Sequence, residues 1–335
     1  MPDLAIDFET RSLTDLRRSG VYRYAEDPST AVVCMAYAFG DEAPQVWTPG
    51  APFPEQVIQH VGDHHPLRAF NAQFERVIWR DVLTRQVPDL PVPTLAQWYC
   101  TAAETAAMAL PRSLGQAAKV LGVAEKDDAG RRLMLQMCRP RRIDDDGTVH
   151  WWDEEDAGKR ERLLAYCRQD VVVERAVALR VRRLSDRERA VYLLDQRIND
   201  RGVQLDPALI DALQALVDRG LGEADAAVRA ETGGAASAVT QVSAIREWVE
   251  EQGVECPDLR RQTVESLLEE KLPSPVREVL TARSEAARSS TAKLKAMTDA
   301  MGEDGRVRGM LLYHGASTGR WSGKLVQPQT CRAPR

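Results

Sequence analysis

The alternation of apolar and polar residues at the start of the chain predicts a small antiparallel sheet. Leu4–Thr10 intermixes apolar and acidic positions, and Ala31–Gly40 is apolar enough throughout to be a buried strand. Gln45–Thr48 follows a turn at residues 40–42 and is a third candidate strand. Because consecutive strands joined by short loops pair antiparallel, we expect the sheet to begin as a meander.

The apolar period then changes to that of helices. Phe53–Val61 has a helical pattern, Leu67–Phe70 is a short strand, and Ala72–Gln86 is a longer amphipathic helix. Strands and helices in this order after a meander predict an α/β fold, with a mixed sheet and helices packed on it.

From Leu95 onward the pattern is almost entirely helical. Two short extended segments flank a turn at residues 144–147, and a long helix is expected from Asp153 to Arg183. Its first turn holds three acids, and its end holds Arg180, Arg182 and Arg183, an arrangement that suits the helix dipole.

A second helical region is predicted from Leu184 through Ala300. Breaks are expected at its glycine and proline positions, which are Gly202, residues 233–234 and residues 273–275. A length of 335 residues is consistent with two domains of ordinary size.

Composition and charge narrow the class of protein. The six cysteines are dispersed and form no Cys-x-x-Cys pair, which favours a reduced, cytoplasmic protein. The sequence contains no run of about 18 apolar residues, the length that a membrane span requires. A net charge of −5 excludes a wholly basic nucleic-acid binder, yet residues 286–335 hold nine Lys and Arg against three acids. A basic end of this kind is either a solvated tail or a surface for a polyanion.

Two acids on the first predicted strand suggest a metal site. Asp7 and Glu9 are two residues apart, so they project from the same face of the strand. Adjacent carboxylates repel each other unless a cation lies between them, and oxygen ligands suit a hard divalent ion. Alternatively, the pair lies on a solvent-exposed edge strand.

Two further segments carry acids of the same kind. Tyr166 and Asp170 are four residues apart and share one face of the long helix. Asn71 is a favourable N-cap, which leaves Glu75 in the first turns of the next helix. Taken singly, Asp170 is better explained as a surface acid balanced by Arg168 or Arg175. Glu75 is equally well explained as a residue that favours the positive end of the helix dipole.

The order of these segments resembles the three exonuclease motifs of the DEDD family. Asp-x-Glu-Thr at Asp7, Asn-x-x-Phe-acid at Asn71 and Tyr-x-x-x-Asp at Tyr166 are similar to the Tyr subtype, the proofreading 3′→5′ exonuclease domain of family A (DNA polymerase I type) polymerases. The resemblance covers about the first 183 residues and implies an RNase H-like fold. It departs from the family at Glu75, where Asp is usual.

The resemblance also implies the roles of the site residues. Two ions, Mg²⁺ or Mn²⁺, are expected about 4 Å apart. Asp7 would bridge both, Glu9 and Asp170 would complete the coordination of one, and Glu75 would hold the other through water. Tyr166 would orient the attacking water. The residues at family positions that contact the terminal nucleotide of the DNA are Thr10, Leu13 and Asn71.

The similarity continues beyond the exonuclease motifs. VYLLDQRINDRGVQLD is similar to the start of the polymerase part of such enzymes, SSTAKLKAM to a thumb segment, and HGASTGRWSGKLVQPQ to a stretch just before the first catalytic carboxylate of the polymerase. In the family, which this phage-like chain resembles, these residues line the primer–template duplex, and this implies DNA contacts for Lys293, Thr318 and Arg320. This assignment agrees with the basic end, because duplex binding is chiefly phosphate neutralisation.

We therefore expect an exonuclease domain at 1–183, and at 184–335 the helical thumb-like beginning of a polymerase domain that lacks palm and fingers. The final five or six residues differ from the family, and the chain alone is not expected to polymerise. Its partners would be a single-stranded 3′ end, primer–template DNA and a separately encoded palm and fingers. Alternatives are a non-catalytic DNA-binding fragment, which Glu75 would explain, and an RNase D-like RNA-processing nuclease.

Overall fold

The computed structural model of the chain describes residues 3–123, 128–286 and 292–327. These residues form two compact units. One is drawn from Met1–Leu205 and Ala300–Arg335, and the other from Asp206–Asp299. The compact units do not follow the predicted functional boundary at Arg183, because residues 184–205 and 300–327 belong to the first unit. The division of function at that boundary stays a prediction.

A mixed sheet lies at the centre of the first unit. Its strands are β1 (Leu4–Arg11), β2 (Ala31–Phe39), β3 (Gln45–Trp47), β4 (Leu67–Ala69) and β5 (Trp98–Cys100). They lie side by side in the order β3-β2-β1-β4-β5. The first three strands pair antiparallel, whereas β4 is parallel to β1 and to β5. The predicted meander and mixed sheet are thereby confirmed.

Helices surround this sheet. They are α1 (Leu16–Glu26), α2 (Glu55–Gly62), α3 (Ala72–Ile78), α4 (Thr84–Gln86), α5 (Thr101–Ala107), α6 (Leu114–Leu121), α7 (Asp128–Met137), α8 (Trp152–Glu155), α9 (Ala157–Ala178) and α10 (Asp186–Arg201). A π-helical turn at Trp79–Leu83 joins α3 to α4, and a 3₁₀ turn occupies Leu95–Gln97. The helix predicted at 72–86 is therefore present, with a wider turn in its middle.

Short antiparallel pairs of strands complete the first unit. They are β6 (Pro140–Ile143) with β7 (Val149–Trp151), β8 (Val203–Gln204) with β9 (Arg306–Val307), and β10 (Leu311–Leu312) with β11 (Ser322–Gly323). At Gly202 the backbone has a φ of 65°, and a Cβ there would lie 2.6 Å from the carbonyl oxygen of Val307. Glycine is thus required where β8 meets β9.

The long helix differs from its prediction at both ends. The predicted helix is interrupted at Asp156, whose backbone is non-helical. The Asp156 side chain accepts a hydrogen bond of 2.9 Å from the Lys159 amide. Asp156 therefore caps α9 as a new helix, so the three acids of residues 153–155 lie in the separate α8. Because α9 ends at Ala178, the expected pairing of Arg180, Arg182 and Arg183 with its dipole is wrong.

Helix α1 and strand β5 are among the elements that the sequence patterns missed. Helix α1 has almost no amphipathic character and is kinked at Gly20, whose φ is 72°. Strand β5 is three residues long, and its pairing with β4 depends on residues 31 positions earlier in the chain. Neither element has enough local periodicity to be recognised.

The two faces of β1 bury different kinds of residue. Leu4, Ile6 and Phe8 point into the main apolar core, which also contains Trp79 and Trp98. The opposite face carries Ala5, Asp7 and Glu9, and Ala5 packs in a small cluster with Cys167 and Val171 of α9. Strand β1 is thus an interior strand with helices against both faces, and its two acids lie on the α9 side.

The second unit is helical, as predicted. It contains α11 (Pro207–Glu231), α12 (Val242–Glu251), α13 (Arg261–Glu269), α14 (Ser274–Ala286) and most of α15 (Ala292–Ala300). Its core includes Val228, Ile245, Val249 and Leu280. Helices break near residues 233–234 and at Pro273, where breaks were expected. Within the described residues, no helix has the length and apolar character needed to cross a bilayer.

Candidate functional site

Three elements of the first unit carry the predicted acidic site. Strand β1 presents Asp7 and Glu9, helix α3 presents Glu75 in its first turn, and helix α9 presents Tyr166 and Asp170. Asp7 is partly exposed, whereas the other four are buried. A set of buried acids is costly unless a cation or hydrogen bonds compensate for their lost hydration.

Tyr166 of α9 lies close enough to the acids of β1 for their charges to act on its phenol. Burial raises the pKa of its phenol, and the negative charges of Asp170, Glu9 and Asp7 raise it further, in that order. Tyr166 therefore stays a neutral hydrogen-bond donor at physiological pH.

Glu75 belongs to the same site from the third element. Its pKa is raised well above the usual value, first by burial and then by the charge of Asp7. Within the described residues its Oε2 atom is buried and has no hydrogen-bond partner. An orphaned carboxylate oxygen beside a second acid is the kind of donor that a hard divalent cation compensates, so this donor set suits such an ion.

The chain also places a thiol in this site, which the sequence analysis missed. The Cys167 Sγ atom donates to the backbone oxygen and to Oδ2 of Asp7, each at 3.4 Å. One side-chain atom each of Asp7, Glu9 and Cys167 lie within 4.8 Å of one another. Cys167 stands three residues before Asp170 on α9, so helical spacing was the signal available for finding it.

A buried ionic cluster lies beside the site and was also missed. Arg68 donates to Glu104 Oε2 at 2.6 Å and to the Thr101 hydroxyl at 3.2 Å, and Thr101 donates to Glu174. Burial raises the pKa of Glu174 to about 7, although Arg68 and Thr101 counteract this rise. Glu174 is one helical turn beyond Asp170, and its charge contributes to the raised pKa of Glu75.

The predicted nucleotide-contacting residues border the acids along the chain. Thr10 directly follows Glu9, and its hydroxyl lies 2.8 Å from the Tyr24 hydroxyl. Leu13 is 48% exposed, so its side chain is accessible. Asn71 occupies the N-cap position of α3, but its exposed side chain makes no capping hydrogen bond, contrary to the capping role expected of it.

The end of β1 is held by a charged clamp. Arg11 donates two hydrogen bonds to Asp153, at 2.7 and 2.8 Å, and one of 2.6 Å to Glu154. Its guanidinium also lies 4.8 Å from the ring centroid of Trp151. This clamp connects the strand that carries Asp7 to the β6–β7 hairpin and α8.

The predicted duplex-contacting residues lie in both units. Lys293 is on α15 in the second unit, whereas Thr318 and Arg320 are exposed in the first. The latter two form a tight turn in which the Ala316 amide donates to the Arg320 carbonyl at 3.0 Å. Two predicted segments lie outside the described residues. They are residues 289–291 of the thumb-like segment and the final residues of the chain, which differ from the family.

Comparison with known proteins points to one kind of enzyme. No protein-family model matches the chain. Over 339 aligned residues it is 35% identical to the DNA polymerase of Bacillus phage SP02, and the alignment covers 98% of this chain and 51% of the phage protein. Its fold matches the POL domain of Pol1 from M. smegmatis, solved with DNA primer-template and dNTP, at a TM-score of 0.56 and 16% identity. That match covers 99% of this chain and 52% of the solved one.

The chain thus spans about half the length of each of these two proteins. The mycobacterial structure supports the fold alone, because its sequence identity is low. The phage relative, in contrast, is similar in sequence over nearly the whole of this chain. The phage relative thus supports the resemblance of this chain to DNA polymerases, and the chain is similar in sequence to about half of a phage DNA polymerase.

Proposed function

We propose that the chain is a metal-dependent 3′→5′ exonuclease of the proofreading type, joined to the beginning of a polymerase domain. The observation that carries this proposal is the grouping of Asp7, Glu9, Glu75 and Asp170 with Tyr166 from three separate elements. The sheet order, with an antiparallel meander and two parallel strands beside β1, supports the RNase H-like fold that the sequence motifs imply.

The four carboxylates would hold two divalent ions, Mg²⁺ or Mn²⁺, which would supply Lewis acidity for phosphodiester hydrolysis. Glu75 fits this role despite its extra methylene, because its free Oε2 is buried beside Asp7. Its side chain is about 1.5 Å longer than that of Asp, a difference that coordination through water accommodates.

The other residues of the site would position the reactants. Tyr166 donates a hydrogen bond from its neutral phenol and so orients the attacking water. Leu13 offers an exposed apolar side chain to the terminal base, and Asn71 offers an uncommitted amide to the terminal nucleotide. Thr10 is held beside Glu9 by the contact of its hydroxyl with that of Tyr24. A frayed single-stranded end is the preferred substrate because it does not need to be unpaired.

A degradation assay tests the activity. Single-stranded DNA labelled at its 5′ end is incubated with the protein and Mg²⁺ or Mn²⁺, and a ladder of shortened products is expected. Asp7→Ala and Asp170→Ala should abolish the ladder, whereas Glu161→Ala, an exposed acid on the same helix, should not. Equal degradation by the Asp7 and Asp170 variants would identify a contaminating nuclease and refute the assignment.

The same assay separates the alternatives. Faster degradation of a matched RNA would favour an RNase D-like nuclease, and salt-dependent binding without cleavage would favour a DNA-binding fragment. For the basic end, Arg320→Ala should weaken primer–template binding and lower the slope of log affinity against log salt by about 1. Arg131→Ala, an exposed arginine on α7, is the matched control.

A further inference from the structure

The acidic site contains a thiol, that of Cys167, which the proposed oxygen-liganded magnesium site does not require. Cys167 is fully buried, yet its Sγ atom reaches the Asp7 carboxylate rather than only apolar neighbours. Most of its packing cluster consists of small apolar residues of β1 and β2, including Ala5, Ala36 and Ala38. The thiol therefore lies at the boundary between the core and the acids.

The distances fit a shared metal ion. Zinc–sulfur bonds are about 2.3 Å and zinc–oxygen bonds about 2.0–2.2 Å, so the sulfur and oxygen of a tetrahedral site lie about 3.5 Å apart. The observed separation between Cys167 Sγ and Asp7 Oδ2 is 3.4 Å. One ligand atom of Glu9 also lies within 4.8 Å of those of Asp7 and Cys167, so all three residues are close enough to face one ion.

The chemistry of the three ligands is selective. Thiolate sulfur favours zinc-like ions strongly, whereas magnesium accepts almost only oxygen. We propose that Cys167, together with Asp7 and Glu9, forms a binding site for a thiophilic divalent cation of the Zn²⁺ class, in the place that the proposed nuclease offers to Mg²⁺. This inference rests on the proposed function only for that shared place.

Ligation by the thiol is balanced by loss of a proton. As the bond between Sγ and the ion forms, the bond between Sγ and hydrogen breaks, and the proton leaves to water. No oxidant is needed, because sulfur keeps its oxidation state. Each bound ion should therefore release at least one proton, and Mg²⁺, which does not bind the thiol, should release none from Cys167.

Cadmium binding to the whole chain tests the inference without any nuclease assay. Under a phosphine reductant, titration with Cd²⁺ should produce the ultraviolet charge-transfer absorption of a sulfur–cadmium bond. Zn²⁺ should displace the Cd²⁺, whereas excess Mg²⁺ should not. Asp7→Asn should weaken Cd²⁺ binding by about tenfold or more. Absence of the absorption, or an affinity unchanged by Asp7→Asn, would overturn the inference.

Cysteine variants assign the absorption to one residue. Cys167→Ala and Cys167→Ser should both abolish it, and circular dichroism shows which of them retains the fold. Cys256→Ala, a buried thiol of the second unit, is the matched control and should leave the absorption unchanged. If the absorption persists without Cys167, or depends on Cys34 instead, the inference is wrong. Because Mg²⁺-dependent exonuclease activity is measured separately, failure of either proposal is visible without the other.

Discussion

Replacing Glu174 by Gln should stabilise the metal-free protein at alkaline pH. Glu174 is 3% exposed on α9, and its Oε2 atom has no hydrogen-bond partner within the described residues. Burial raises the pKa of its carboxyl from 4.5 to about 7, even though Arg68 and Thr101 favour the charged form. The folded protein must therefore ionise this group against a penalty that the unfolded chain does not have.

The sign follows from the raised pKa. Below the unfolded pKa of 4.5 the carboxyl is protonated in both states, and stability is at its fullest with respect to this group. As the pH rises through the folded pKa of about 7, that stability is lost. At 1.36 kcal/mol per pKa unit, the loss amounts to about 3 kcal/mol, of which about 2.5 kcal/mol falls between pH 5 and pH 8.

Glutamine removes this pH dependence because it does not ionise, and its amide oxygen still accepts the Thr101 hydrogen bond. Urea unfolding, followed by circular dichroism in the presence of a chelator at about pH 5 and about pH 8, measures the effect. The free energy of unfolding of Glu174→Gln relative to the wild type should increase by about 2.5 kcal/mol between the two pH values.

Glu161→Gln, an exposed substitution on the same helix, is the control and should show no such change. A difference between Glu174→Gln and the wild type that is equal at both pH values would refute the reasoning, because it would mean that Glu174 is already ionised at the lower pH. A smaller overall stability at both values would report only the cost of burying the amide.

Three further substitutions probe other parts of the structure. Glu75→Gln should raise the metal-free melting temperature at alkaline pH, since burial and Asp7 raise the pKa of Glu75, and should reduce the stabilisation by Mn²⁺, which is about 2.7 kcal/mol at 100 times the Kd. Arg11→Met should cost about 1–2 kcal/mol in urea unfolding and speed amide exchange at Val149–Trp151. Asp200→Ala should cost about 3 kcal/mol of unfolding free energy, because the buried Arg76 loses its bonds of 2.7 and 2.9 Å.

Each of these expectations has an opposite. Undiminished Mn²⁺ stabilisation of Glu75→Gln would exclude Glu75 as a metal ligand. Exchange at residues 149–151 unchanged by Arg11→Met would show that the β6–β7 hairpin does not depend on the clamp. For Asp200→Ala, Asp200→Asn is the comparison. It keeps one acceptor for Arg76 and for the Tyr22 hydroxyl, so its cost should be smaller, and an equal cost would contradict the ion-pair explanation.

Local periodicity was sufficient for much of the sheet and for the grouping of the motifs. The period of two in LAIDFET assigns Asp7 and Glu9 to one face of β1, and the period of 3.6 assigns Tyr166 and Asp170 to one face of α9. These assignments need only neighbours within four residues. Elements with weak patterns were missed for the same reason, as α1 and β5 show.

Buried charge could not be predicted in this way. Arg68, Glu104 and Glu174 are ordinary charged residues in the sequence, yet their side chains meet in the interior from β4, α5 and α9. The pKa of each depends on desolvation by residues far away in the chain. The break at Asp156 is comparable, since the acids after Trp152 are held by Arg11 from β1 rather than by their own helix.

The sequence by itself determined the mixed sheet, the helical second region and the identity and order of the acids that characterise the site. Only the tertiary structure decided which other side chains join them. Cys167 lies against Asp7 because α9 packs on the face of β1 opposite the main core. Local pattern establishes which face of an element is apolar, whereas the partner of that face depends on long-range packing. The contact of the Cys167 thiol with Asp7 and the shifted pKa values of the carboxyls therefore became visible only in the folded chain.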